Sequence, residues 1–122
     1  MSKIIEMRKA LKSLITSVHA QNYFEEAPED AAYPYIVVDF PNSNDDGTLE
    51  QFFIDVDGWD KPSGGLTNDL EDLMDKVDNV LHRKTIYSNG LCMTLYRENR
   101  TNLRDPDKRI RRRKYIYQAR TF

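Results

Sequence analysis

The sequence predicts an α+β domain in which two amphipathic helices pack on a largely antiparallel β-sheet, and three observations predict it. Apolar residues recur at spacings of three and four in two separate segments, Ile4 to Val18 and Leu66 to Leu81. Runs rich in β-branched and aromatic residues fall between and after these segments, bounded by proline, glycine and asparagine. No internal repeat or low-complexity linker divides the 122 residues, so one domain spanning residues 1–122 is expected.

The first helix presents Ile4, Met7, Leu11, Leu14, Ile15 and Val18 on one stripe, with Lys3, Glu6, Arg8, Lys9 and Lys12 between them. Ser2 is the expected N-cap, and Glu6 lies one residue past the position that a strict capping box requires. Tyr23-Phe24 reads as a short strand, followed by the acidic loop Glu25-Glu26-Ala27-Pro28-Glu29-Asp30. Pro34 pushes Tyr33 towards extended geometry. Tyr35 to Phe40 then reads as a strand closed by Pro41, with a loop from Asn42 to Gly47. From Leu49 to Trp59 a strand places Phe52, Ile54 and Val56 on one face and Phe53, Asp55 and Asp57 on the other, paired in a hairpin with the strand before it.

Asp60-Lys61-Pro62-Ser63-Gly64-Gly65 is the clearest breaker in the chain. The second helix carries Leu66, Leu70, Leu73, Met74, Val77, Val80 and Leu81 on its apolar stripe. Asp69, Glu71 and Asp72 stand near its start and His82, Arg83 and Lys84 at its end, both suited to the helix macrodipole. Thr85–Ser88 and Leu91–Arg97 bracket Asn89-Gly90, which favours a type I′ hairpin turn. A polar stretch from Glu98 to Lys108 follows, which could be a loop that orders only on assembly. Ile110 to Phe122 is the closing strand.

Composition narrows the function. With 39% apolar and 31% charged residues the chain is expected to fold, and no apolar run approaches the ~20 residues of a spanning helix. Met1 to Lys12 lacks the unbroken apolar stretch of a secretory signal, so the cytoplasm is the expected compartment and no membrane partner is expected. The single Cys92 leaves no intramolecular disulfide and no cysteine pair for zinc. The net charge of −2 hides a polarised chain: Met1 to His82 holds 6 basic and 17 acidic residues, whereas Arg83 to Phe122 holds 12 and 3. Such opposed fields steer a protein partner, nucleic acid, or a second copy placed head to tail.

Candidate chemistry is sparse. Asp39, Asp55 and Asp57 on neighbouring strands could hold magnesium in a nuclease, but Lys61 falls in the breaker loop rather than at a catalytic spacing. Asn42 to Gly47 imitates the start of a calcium loop and fails at the twelfth position, Phe53, where a bidentate glutamate is needed. His19 and His82 read as helix-end residues. No catalytic, cofactor-binding or metal-ligating residue and no cofactor is expected, and the chain is not expected to be an enzyme. The run from Lys108 to Lys114, with Tyr115 and Tyr117, fits two roles: a nucleic-acid-binding module that neutralises phosphates and stacks bases, or a strand that meets the acidic portion of a neighbouring subunit. The acidity of the remaining surface favours the second.

The first helix, then Phe24-Glu25-Glu26-Ala27-Pro28-Glu29-Asp30-Ala31, Tyr33-Pro34-Tyr35-Ile36-Val37-Val38, Asp55-Val56-Asp57-Gly58-Trp59, the helix from Leu70 to Leu81 and the basic closing strand together resemble the tail-completion, or tail-terminator, proteins of long-tailed bacteriophages. The resemblance covers most of the chain. It implies a tail-terminator-like fold and a homo-oligomeric, hexameric ring that caps the finished tail tube and docks to the head connector, without a reaction. The implied partners are the tail tube protein and the head connector protein, with DNA only in transit through the lumen. The implied place is the head-proximal end of the virion tail, after assembly in the host cytoplasm. For interface or lumen contacts the expected residues are Arg109, Arg111, Arg112, Arg113 and Lys114, with Trp59 and Phe53 as apolar anchors if exposed, or core residues if not. Reversing Arg111, Arg112 and Arg113 to Glu is expected to leave the fold intact and block joining.

Overall fold

A computed structural model describes residues 3–45, 50–88 and 90–121. Expectations for the Ser2 cap, for Asp46 to Leu49, for Asn89 of the hairpin turn and for Phe122 lie outside the described residues.

Apolar periodicity sets both helices. Helix α1 (Lys3–Thr16) buries Met7, Leu11 and Ile15 completely, and helix α2 (Asn68–Leu81) buries Leu70, Leu73, Met74, Val77 and Leu81. The strands are β1 (Asn22–Phe24), β2 (Tyr35–Asp45), β3 (Glu50–Asp60), β4 (Thr85–Ser88), β5 (Leu91–Arg104) and β6 (Arg111–Thr121). They form a single sheet in the order β1-β2-β3-β6-β5-β4, in which only β1 and β2 run parallel. Alternation along β3 and β6 sorts the side chains. Phe52, Ile54, Val56, Tyr115, Tyr117 and Ala119 face the helices and are buried, while Phe53, Asp55, Asp57, Trp59, Arg112 and Lys114 lie on the face that no helix covers.

Close packing and side-chain pairs tie α2 to the sheet. A Cβ added to Gly58 would lie 2.5 Å from the Met74 sulfur and 3.1 Å from Leu70 Cδ1, so the missing side chain lets α2 sit close to the middle of the sheet. Tyr117 donates its hydroxyl to Asp78 Oδ1 at 2.6 Å, and Asp78 also pairs with Arg97 of β5. Burial and that hydrogen bond push the Tyr117 hydroxyl far above its usual range.

The sheet corrects three expectations. Glu98 to Lys108 is not a loop awaiting assembly: β5 runs on to Arg104, paired residue by residue with β6, and only Asp105 to Ile110 turns. Its polarity reflects an uncovered surface rather than missing structure. A register shift between Arg97 and Asn99 around Glu98 hides the continuation from an alternation count. Strand β2 does not stop at Pro41 but passes through a register shift between Asp39 and Asn42, where a residue without an N–H is tolerated. Leu66 does not join the stripe of α2; it precedes the helix and is 71% exposed.

Candidate functional site

The two ends of the sequence's charge asymmetry meet on the uncovered face. Lys114 Nζ lies 3.0 Å from Asp55 Oδ2, and Arg112 lies 3.5 Å from Asp57 Oδ2, across the β3–β6 ladder. The strand that carries the carboxylates is thus zipped to the strand that carries the cations. Burial pushes the Asp57 carboxyl above the usual carboxylate range, opposed by Arg112 and Lys114. The nuclease arrangement is therefore not realised: Asp55 and Asp57 hold protein cations, and among the described residues no cluster of acidic, histidine or cysteine side chains is arranged to hold a metal ion.

Beside this ladder stands an aromatic stack. The Arg112 guanidinium lies 3.8 Å from the Trp59 ring centre, Trp59 stacks on Tyr35 at 5.8 Å and 12°, and Tyr35 contacts Tyr33 and Tyr23 at 5.1 and 6.1 Å. Burial, with Tyr33 adding to it, raises the Tyr35 hydroxyl to about 12. A shallow cavity of about 290 Å³ opens here, lined by Glu25, Glu26, Tyr35, Asp57, Trp59 and Arg112. Trp59 and Phe53, the expected anchors, both lie half-buried on this face.

The basic run does not form one patch, because successive residues of β6 point to opposite faces. Arg112 and Lys114 lie on the uncovered face, while Arg113 pairs with Glu71 of α2. Arg111 donates to the carbonyl of Lys108. Arg109 is bound to Asp107 at 2.9 Å and its side chain is 71% exposed; that contact holds the Asp107 carboxyl down at about 2. The aromatic half of the nucleic-acid reading is overturned, since Tyr115 and Tyr117 face the helices, 2% and 0% exposed, and cannot stack on bases. Both histidines are helix-end residues, as expected: His19 Nε2 contacts the Pro34 carbonyl at 2.8 Å, and His82 caps α2 while its Nδ1 accepts the Arg97 N–H.

Sequence reasoning missed the surface that internal pairing leaves over. Among the described residues, Arg100, Arg104 and Lys108 make no ion pair, and neither do Glu26, Glu29 and Asp30. Charge counts cannot reveal this, because they do not say which cations are matched inside the fold.

The profile of the family described as "Tail completion protein gp17" matches residues 4–121. Among solved structures the chain is similar to one from the "Virion of native gene transfer agent (GTA) particle". The TM-score is 0.66 at 10% identity, covering 96% of this chain and 90% of that one, a likeness of fold. No curated protein matches. With all six strands and nearly all of both helices inside the matched span, the chain belongs to the tail completion protein gp17 family and is a structural protein of the bacteriophage virion tail.

Proposed function

We propose that this chain is the tail terminator: a homo-oligomeric ring, hexameric as in the family it resembles, that caps the head-proximal end of the tail tube and joins it to the head connector without catalysing a reaction. The observation that carries the reading is the family match from residue 4 to residue 121. The geometry agrees with a structural part. Asp55 and Asp57 of β3 are held by cations, and one broad sheet face remains uncovered for contact.

On this reading the exposed Arg109 and the half-buried Phe53 and Trp59 contact the tube protein, the connector protein or a neighbouring copy. Arg112 and Lys114 act from the uncovered face and Arg111 and Arg113 from the opposite one, although Arg112, Arg113 and Lys114 also brace the fold through Asp57, Glu71 and Asp55. DNA passes through the lumen without being bound specifically.

The test is complementation in vitro. Heads and tails from an infection lacking this chain should remain separate and become joined, infectious particles when the purified protein is added. Joining at the same yield without it would contradict the proposal.

A further inference from the structure

Among the described charged residues that form no ion pair, one acidic and one basic group lie on opposite sides of the sheet. On one side the exposed loop that follows β1 carries Glu26, which also borders the cavity on the uncovered face, with Glu29 and Asp30. On the other, the distal half of β5 carries Arg100 and Arg104, with Lys108 in the turn that follows; Arg100 lies over the Tyr115 ring at 5.3 Å, and Glu98 and Asp105 are the acids in this segment that form no ion pair. The register places both at the same level. Phe24 pairs with Val38, Val38 with Val56, Val56 with Tyr115, and Tyr115 with Arg100; one step down, Asn22, Ile36, Gly58, Arg113 and Asn102 form a second row. The acidic loop leaves the sheet where the first row ends on one side, and Arg100 ends that row on the other.

The β5 edge is also open along its backbone. Strand β4 covers only Leu91 to Thr94, Leu95 bonds to Arg83 and Lys84, and Arg97 N–H reaches His82. Beyond Arg97, among the described residues, only β6 pairs with β5. Charged side chains on an open edge exclude promiscuous strand pairing and admit a partner of opposite charge. The acidic edge differs: Asn22 N–H bonds to the Ala20 carbonyl, Asn22 O takes Lys12, and Phe24 O accepts the Glu26 N–H. It therefore contributes carboxylates rather than a strand edge.

We infer that these two edges bind each other between copies of this chain. Glu26, Glu29 and Asp30 of one copy engage Arg100, Arg104 and Lys108 of the next in a head-to-tail contact. This deepens the ring proposed above and rests on it. A contact between two different surfaces at one level propagates round an axis, which is what closure into a ring requires. A second copy is favoured over nucleic acid because the same molecule carries the matching acidic edge.

The experiment uses the full chain with tail tubes made in its absence, imaged by electron microscopy, alongside light-scattering mass. Variant one carries Arg100→Glu and Arg104→Glu; variant two carries Glu26→Lys and Glu29→Lys. All four residues are exposed, and circular dichroism checks that each variant folds. Each alone should lose ring formation by about 10-fold or more. Mixed in equal amounts they should regain it, because acidic-edged and basic-edged copies then alternate. Rings from either variant alone at the wild-type level would overturn this interface while leaving the ring intact, as would a mixture that stays inactive. Absence of rings from the wild-type protein, free and on tubes, would overturn both. Should variant one form normal rings but lose salt-sensitive binding of duplex DNA, the basic edge is a phosphate site instead.

Discussion

Asp57 and Asp107 are the same residue type in opposite circumstances, and their titration separates burial from pairing. Asp57 is held above 3.8 by burial, so the folded chain keeps this proton longer than the unfolded chain does. Stability from this group therefore falls as pH rises through the window above 3.8. Asp107 is lowered from 3.8 to about 2 by Arg109, so its contribution is present above 3.8 and is lost as pH falls through about 2. A carbon-detected NMR titration should find Asp57 above the ordinary range and Asp107 near 2, and Arg109→Ala should return Asp107 towards 3.8. Two further side chains fix the core. Gly58→Ala forces a methyl against Met74 and Leu70 and should cost about 1–3 kcal/mol in urea unfolding. Tyr117→Phe removes a hydrogen bond to a carboxylate and should cost about 1.5–3 kcal/mol, at the low end because Asp78 keeps Arg97.

Whole elements were legible where one periodicity ran unbroken. The stripe from Leu70 to Leu81 and the alternation of Phe52, Ile54 and Val56 against Phe53, Asp55 and Asp57 can be read directly, because burial on one face imposes each pattern. Elements failed where a register shift interrupted the pattern, at Pro41 in β2 and at Glu98 in β5. The second failure is testable at this scale. As part of a strand, Asn99 to Arg104 should resist trypsin in the isolated protein, with first cuts after Lys108 and Arg109 in the turn rather than after Arg100. Rapid cleavage after Arg100 would restore the loop.

For the molecule as a whole, the polarity of the sequence was legible but its destination was not. Most of the charge expected to bind a neighbour is spent inside the chain, through Arg97–Asp78, Arg112–Asp57, Arg113–Glu71 and Lys114–Asp55. These pairs join residues 19 to 59 positions apart, a spacing that no local pattern reveals. Reversal of Arg111, Arg112 and Arg113 together should therefore lower stability as well as block joining, whereas reversal at Arg100 and Arg104, which breaks no ion pair, should act mainly on ring formation. The proposed role is closure of the end of a tail tube. The most direct measurement is electron microscopy of purified protein mixed with tail tubes that lack it. A ring-shaped density on one end of each tube, and none along its length, is the predicted result; tubes whose ends stay bare at saturating protein would contradict the account.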